Sequence, residues 1–445
     1  MTKALGMSLD SLNDWRRTHY SSQVVPEMDG KEVTLFGWIE DIRDLGNLTF
    51  LTLRDREGIV QVTVVKKKSP GALVEKLASV GKQYAVGVRG KVKAEKEAPR
   101  GVEVVPSEMK LLAGVVYPLP LDPTGRVPAD IDVRLDARVM DLRRRTSRAI
   151  FNVRHEILRA SREFLIEECF TEVQTPRLIG SATEGGAALF SLDYFGMKAY
   201  LAQSPQLYKE QLTTVFENVF EIGPFFRAEE SRTRRHISEF TSLDIECAFL
   251  DQRGVTEILE RLMHHIYKSV VGRCSRELDV LKTHLEVPAL PFKRLTYDEV
   301  VDRLSKEGVD IKWGEDIPTA AEKKLGELFS GFYFVTDWPS AIKPFYIAPR
   351  VDDPKYSDSF DLMYGALELA SGGTRVHEHS VLLTRLKEQG LDPEGFEDHL
   401  SVFRMGMAPH AGWAVGVDRL LMLMTGAENI RECIFYPRDR DRLRP

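Results

Sequence analysis

Cysteine is scarce: four in 445 residues, at positions 169, 247, 274 and 433, with no two spaced as CxxC. That rules against zinc knuckles and dithiol redox motifs, and isolated thiols suit a reducing cytoplasm. No GxxxxGK[ST] occurs, and no GxGxxG stands between a strand-like and a helix-like stretch. Neither a P-loop nor a Rossmann nucleotide site is expected. No apolar run is long enough to span a bilayer, and residues 1–17, read as a short tail, hold no apolar signal core. Basic residues are not in excess either: net charge is −6, so a polyanion must be met by local basic patches. If the chain uses a nucleoside triphosphate, antiparallel strands bearing arginine must hold it.

What is present suits two or three soluble domains. Residues 31–112 read as five short strands, at 33–39, 48–54, 59–65, 85–92 and 102–112, with a helical stretch at 71–77 after the third. That order fits an OB-fold, a partly open barrel that binds oligonucleotides. Phe50 offers a stacking face for an unpaired base, or is simply core, and Gln61 offers an amide to a base edge. Residues 117–143 carry Pro118, Pro120, Pro123, Gly125 and Pro128 and read as a linker without regular structure. The domains are therefore drawn as 18–116, a hinge at 117–145 and a larger α+β domain at 146–445, with a small insertion near 275–330. Strands are expected at 170–176, 332–338 and 344–348.

Three stretches carry chemistry. In FFRAEESRTRRHISEFTSLDIE, residues 225–246, a buried strand delivers Arg227 and Glu229 at a spacing of two, which puts both on one strand face. A cationic loop with Arg234, Arg235 and His236 follows, then a second strand. Such a hairpin can hold a polyanion through the paired donors of Arg, or can be a solvated basic surface. In residues 359–375, Glu368 and Ser371 could supply oxygen to Mg²⁺, and Arg375 follows two glycines. In residues 411–424 a glycine-bearing strand passes into an apolar helix with Arg419 at the junction. Gln206 and Lys209 share a helix face and could orient a small anion. The pair His264–His265 and the run His377-Glu378-His379 do not argue for a metal.

The first and third of these stretches resemble motifs 2 and 3 of the class II aminoacyl-tRNA synthetases, FRAEESRTRRH and GVDRL, and a helix-like run at 146–168 with the strand ending at Pro176 resembles motif 1. The chain is most similar to the archaeal-type aspartyl-tRNA synthetases of subclass IIb. The resemblance implies an OB-fold anticodon-binding domain and a catalytic domain built on an antiparallel sheet flanked by helices, assembled as a homodimer in the cytoplasm. It implies that Arg227 holds the ATP α-phosphate and the aspartate carboxylate, and that Glu229 meets the adenine. Arg235, His236, Ile237 and Gly416, Val417, Asp418 and Arg419 would flank ATP, with Arg227 and Arg419 catalytic. Glu184, Gln206, Lys209, Ser371 and Arg375 would hold L-aspartate, and Glu368 and Ser371 would hold Mg²⁺. Phe50, Gln61 and Glu103 would read the anticodon.

The implied reaction is attack of the aspartate α-carboxylate on the α-phosphorus of ATP, then transfer to the 3′ end of tRNA. Two positions are tied in the family to tRNA choice. Glu40 matches neither the strict nor the relaxed form, whereas Pro99 matches the relaxed one. Charging of tRNA(Asp) and also tRNA(Asn) is therefore expected. The rivals are an asparaginyl-tRNA synthetase and a catalytically inactive, RNA-binding relative.

Overall fold

The computed structural model describes residues 8–180, 189–230 and 233–444. The chain divides between Thr124 and Gly125 into two compact units.

In the first unit β1 (Glu32–Asp44), β2 (Leu48–Arg54), β3 (Ile59–Val65), α1 (Gly71–Ser79), β4 (Ala85–Ala94) and β5 (Val102–Ala113) follow in order. The strands form a closed barrel in the order β1-β2-β3-β5-β4 rather than the partly open one expected. Closure rests on a short parallel pairing, Gln61 with Glu103 and Val62 with Val104. Alternate residues such as Val33, Leu35, Leu51, Leu53, Val62 and Val64 fill the interior. This is the period of two that marks a half-buried strand. Residues 8–17 lie against the barrel. Trp15 is buried, its ring edge-on to Phe36 and beneath the Arg89 guanidinium.

The second unit begins earlier than the proline-rich composition suggested. Residues 131–141 are helical, as α2 (Ile131–Asp136) and α3 (Arg138–Asp141). The prolines stop before this stretch, and its side chains are tied into the larger unit. Arg138 pairs with Asp141 at 2.7 Å and donates to the Phe435 carbonyl at 2.7 Å. Then come α4 (Arg145–Glu167), β6 (Thr171–Glu172), β7 (Leu178–Ile179), β8 (Ser191–Tyr194), β9 (Met197–Leu201) and α5 (Gln206–Phe216). They are followed by β10 (Asn218–Phe226), β11 (Glu239–Ala248), α6 (Gln252–Arg273), α7 (Ser275–Leu281), β12 (Lys293–Thr296), α8 (Tyr297–Lys306) and α9 (Thr319–Leu328). The unit closes with β13 (Phe332–Thr336), β14 (Ser359–Tyr364), β15 (Leu367–Thr374), α10 (His379–Glu388), α11 (Glu397–Phe403), β16 (His410–Gly416) and α12 (Val417–Thr425).

The main sheet has eight strands in the order β12-β13-β14-β15-β16-β11-β10-β6. Its interior is antiparallel, as expected, but both edge pairs, β12 with β13 and β6 with β10, are parallel. The supposed insertion thus contributes an edge strand of the sheet. The stretch 344–348 is not a strand. It touches the sheet through one isolated bridge, Ile347 to Arg375, and its apolar side chains pack on α10 and α11 instead. The strand expected at 170–176 is ordered as β only at Thr171–Glu172. One face of the sheet packs on α4 and α6, using Leu243, Ile245 and Cys247 of β11 and Ala411, Trp413 and Val415 of β16. Full burial of a branched aliphatic side chain such as Leu243, Ile245 or Val415 contributes about 1.5–3 kcal/mol. Strand alternation turns the residues between them to the opposite face, where the site lies.

Candidate active site

The floor of the site is the open face of the central strands. Along β11 it presents Phe240, Ser242, Asp244 and Glu246; Ser242 donates to Asp244 at 2.6 Å, which places these neighbours on one side. Ser242, Asp244 and Glu246 face Gly416, Ala414 and Gly412 of β16. Ala414 and Gly412 in turn face Ser371 and Gly373 of β15. Ser371 faces Asp361 of β14. Small residues in the middle strands leave the backbone open to a ligand. At Gly412 this is obligatory, because a β-carbon there would strike the Glu246 carboxylate and the Ile245 carbonyl.

One end of the floor is an amino-acid-sized polar cluster. Arg375 is 3 % exposed and grips Glu246, with Nε donating to Oε1 at 2.9 Å and Nη2 to Oε2 at 3.3 Å. Its Nη1 has no hydrogen-bond partner among the described residues. Burial depresses the guanidinium's proton affinity, but Glu246 outweighs this and the pKa rises. Lys209 of α5, also buried, donates to Asp244 at 3.1 Å and to the carbonyls of Ile245 and Trp413, with Glu246 at 3.4 Å. Gln206, one turn before it, lies between Glu210 and Glu246.

The other end is built for anions. Arg227 is exposed beside Phe240, its guanidinium carbon 5.2 Å from the ring centroid. Arg419 donates to the Glu368 carbonyl at 3.1 Å and lies 3.5 Å from its carboxylate. Arg235 donates to the Ala366 carbonyl at 3.1 Å. Burial and the positive field of Arg419, Arg227 and Arg235 lower the pKa of His236, with Glu229 opposing. Burial and the nearby Asp361 raise the Glu368 carboxyl above its usual range, against the pull of Arg419, Lys343 and Arg227. The loop carrying these cations is braced from behind. Ser238 N–H donates to the Arg438 carbonyl at 2.9 Å, Ile430 N–H to Arg234 at 2.9 Å, and Arg431 to the Thr233 carbonyl at 2.9 Å.

Several expectations are corrected. Arg227 and Glu229 do not share a strand face: β10 ends at Phe226, and Glu229 N–H turns back onto the Arg227 carbonyl at 2.8 Å. The Ile237 side chain lies in the hydrophobic core, as does Val417, so neither side chain lines the open face. Asp418 is 2 % exposed; it pairs with Arg154 of α4 and accepts from Thr241 N–H at 2.8 Å. It joins α12 to α4 and β11 rather than lining the open face of the sheet. Asp418→Ala is expected to lower unfolding free energy by about 2–3 kcal/mol, the cost of stranding a charged donor. Urea melts check this, with the KM for ATP unchanged in the folded fraction. Glu184 lies outside the described residues. Asp244, Glu246 and Asp361 are floor residues that reading the sequence missed.

In the barrel, Phe50 is half-buried under Arg43, with its guanidinium carbon 5.6 Å from the ring centroid, and is not core. Beside it on β3, opposite Phe50, Thr63 donates to Glu103 at 2.5 Å, and Gln61 donates to Glu103 at 3.1 Å. Lys93 completes the cluster at 3.3 Å from Glu103. Glu40 occupies a bulge in the pairing of β1 with β2, which re-aims its side chain to 3.6 Å from Arg54. Pro99 is exposed, on a turn pinned by Arg100 donating to the carbonyls of Ser21, Ser22 and Val24.

Among the described residues no group of three or more His, Cys, Asp or Glu is arranged to hold a metal alone, and no helix is long and apolar enough to cross a membrane. Residues 130–440 match the family described as tRNA synthetases class II (D, K and N), and residues 33–112 match the OB-fold nucleic acid binding domain. The chain is 50 % identical over 435 residues to the aspartate–tRNA(Asp/Asn) ligase of Methanothermobacter thermautotrophicus, covering 98 % of this chain and 100 % of that protein. It is 49 % identical to the ligase of the same name from Archaeoglobus fulgidus, covering 96 % and 99 %. Among solved structures, asparaginyl-tRNA synthetase from Pyrococcus horikoshii with asparaginyl-adenylate superposes with TM-score 0.91 at 35 % identity, covering 97 % of this chain and 100 % of that one. Aspartyl tRNA synthetase from Entamoeba histolytica superposes with TM-score 0.85 at 34 % identity, covering 96 % and 92 %. With the family matched over most of its length and relatives half identical along nearly all of it, this chain belongs to the class II tRNA synthetases of the D, K and N group.

Proposed function

We propose that this chain is an aspartyl-tRNA synthetase that activates L-aspartate with ATP and charges both tRNA(Asp) and tRNA(Asn). The observation that carries the reading is the floor of β11, β16 and β15, with an anion-binding group at each end. From Phe240 to Glu246 is six residue steps, about 20 Å of strand. Arginine side chains reaching inward from both ends leave room for an amino acid joined to a phosphate. Arg375, with Nη1 unengaged, would take the substrate's side-chain carboxylate. Arg227 would take its α-carboxylate and the α-phosphate, while Gln206, Lys209 and Ser371 orient it, together with Glu184. Arg235, His236, Arg419 and the backbone at Gly416 would flank ATP, with Glu229 at the adenine.

The chemistry needs no general base, since a carboxylate is already a nucleophile at neutral pH. Its oxygen attacks the α-phosphorus and pyrophosphate leaves. Arg227 and Arg419 stabilise the charge on the phosphoryl oxygens, and the floor keeps the two reactants in line. A ribose hydroxyl of the tRNA 3′ end then attacks the adenylate carbonyl and AMP departs.

The donors present fit Mg²⁺. Asp361 Oδ1 is buried with no hydrogen-bond partner, and Ser371 faces it across the sheet with Glu368 near. Glu368 and Ser371, with Asp361, would hold the ion, which when bound offsets phosphate charge.

Asparagine would leave the Arg375 donor desolvated and unmatched, which argues for aspartate despite the close likeness to an asparaginyl enzyme. Pyrophosphate exchange across all twenty amino acids tests this; exchange with asparagine and not aspartate would overturn it. For tRNA choice, the support is Pro99, the names of the relatives, and the pairing of Glu40 with Arg54, which takes an awkward carboxylate away from phosphates. Labelled aspartate with transcripts of both tRNAs decides it. Phe50, Gln61 and Glu103 would meet the anticodon. Phe50→Ala is expected to raise the KM for tRNA roughly 5- to 100-fold, the worth of one stacked base, and to leave pyrophosphate exchange unchanged. A homodimer through the α4 and β6 region and a cytoplasmic location complete the proposal. Sedimentation would report the first.

A further inference from the structure

Behind the amino-acid end of the floor lies a buried cluster that the reaction above does not use. Glu210 of α5 is fully buried, as is His410 at the start of β16, and His399 of α11 is 3 % exposed. Glu210 Oε2 faces His399 Nε2 at 3.3 Å and His410 Nε2 at 3.7 Å. None of these three atoms has a hydrogen-bond partner among the described residues, so the contacts between them are those of a buried ion pair.

The proton inventory follows from the neighbours. His410 Nδ1 lies 2.8 Å from the Ala408 carbonyl, which only accepts. Its other nitrogen faces a carboxylate, which also only accepts when ionised. Burial opposes the charge, but an accepting carbonyl at Nδ1 and a carboxylate 3.7 Å from Nε2 both favour the doubly protonated ring and raise its pKa. His399 differs: its Nδ1 lies 3.3 Å from the Gln211 side-chain amide nitrogen, and its Nε2 faces Glu210. The charged groups around His410 are Glu210 and Lys209 on α5, Glu246 on β11, and Arg375 beyond β15, whose N–H donates to the His410 carbonyl at 2.9 Å. Lys209 and Arg375 are already matched by Asp244 and Glu246, which leaves Glu210 and His410 as each other's counter-charge. The two histidines hold the Glu210 carboxyl far below its usual range despite burial, and Glu210 raises His410.

The other oxygen of Glu210 acts on the substrate pocket. Gln206 Nε2 lies 2.5 Å from Glu210 Oε1 and 3.5 Å from Glu246 Oε2. Two ionised carboxylates leave no choice of amide orientation, since only the NH₂ can sit between them. Gln206 Oε1 has no partner among the described residues. We propose that Glu210, paired with His410 as an imidazolium and flanked by His399, is a positioning residue for substrate recognition. It locks the Gln206 amide with its NH₂ inward and its carbonyl oxygen toward the substrate, where that oxygen accepts from the α-ammonium group. The proposal rests on the aspartate-activating reading of the pocket.

Aspartate-dependent pyrophosphate exchange by the full-length enzyme tests it, with succinate, which has both carboxylates but no ammonium, as a competing ligand. Glu210→Gln can present either a donor or an acceptor to Gln206, so the lock is lost. The expected result is a KM for aspartate raised about tenfold or more with kcat changed less than threefold, and a succinate inhibition constant within about twofold of wild type. A parallel rise in the succinate constant would mean general collapse of the pocket and would overturn the proposal, as would an unchanged KM. The wild-type KM for aspartate should be flat at acid pH and rise as His410 deprotonates. His410→Asn, which keeps a donor for Ala408 but not the charge, should remove that dependence. Nitrogen-15 NMR of the histidine rings is independent of activity: His410 should show two protonated nitrogens at neutral pH, and a singly protonated ring would overturn the pairing. Absence of aspartate-dependent exchange in the wild type would count against the pocket reading alone, with the NMR arm still deciding the cluster.

Discussion

Arg375→Ala should reduce kcat/KM for aspartate by about 10²- to 10⁴-fold. The basis is the burial of its partner. Glu246 is fully buried, and Arg375 is the group that meets both its oxygens at hydrogen-bond distance. Removing one side of such a pair leaves an uncompensated charge, at a cost of about 3–5 kcal/mol, and at the same time deletes the proposed contact to the substrate carboxylate. Two measurements separate the effects. Loss of the ion pair lowers the melting temperature, whereas loss of recognition removes preference for aspartate over asparagine. Arg375→Lys should regain part of the stability but little selectivity, because an ammonium cannot present paired planar donors. ATP affinity should stay within a few fold. An Arg375→Ala enzyme that still prefers aspartate strongly would show the pair to be structural only.

Arg227→Ala should slow adenylate formation by about 10²- to 10³-fold, with almost no change in folding stability. Its side chain is exposed at the end of β10, so deletion opens no cavity. The loss falls where charge develops, and removing one preorganised donor from such a position costs about 3–4 kcal/mol of transition-state stabilisation. Single-turnover release of pyrophosphate reads this directly. A drop in the melting temperature large enough to account for the lost rate would instead assign Arg227 to the fold.

The contrast between these two arginines shows where the sequence was legible. Arg227 and Arg235 stand in a loop of unusual charge density, and Arg419, beside Asp418, interrupts an otherwise apolar stretch, so these arginines announce themselves. Asp244 and Glu246 do not. The pattern Ser-Leu-Asp-Ile-Glu-Cys alternates as any half-solvated strand would, and alternation cannot distinguish a polar face that meets water from one that floors a pocket. Asp361 was hidden in an apolar run, Phe-Asp-Leu, and became visible only when β14 was seen opposite Ser371. Asp418 erred the other way. Its place in GVDRL suggested nucleotide, but a helix turns adjacent residues about 100° apart, so Arg419 reaches the site while Asp418 points at Arg154. The OB-fold strands were legible to within a few residues because each is short, apolar in alternation and bounded by turn residues. The bulge at Glu40 was not, since an extra residue leaves no mark in composition.

The bracing of residues 233–238 by residues 430–438 carries a practical consequence. The conformation of that cationic loop is set partly by a segment distant in sequence, through two main-chain hydrogen bonds and one from the Arg431 guanidinium. Ending the chain before Arg438 would deprive Ser238 N–H of its acceptor while the hydrophobic core remained whole. A folded protein slack in its grip on ATP should result, and an affinity tag fused at that end is best compared with one fused elsewhere before any ATP constant is believed.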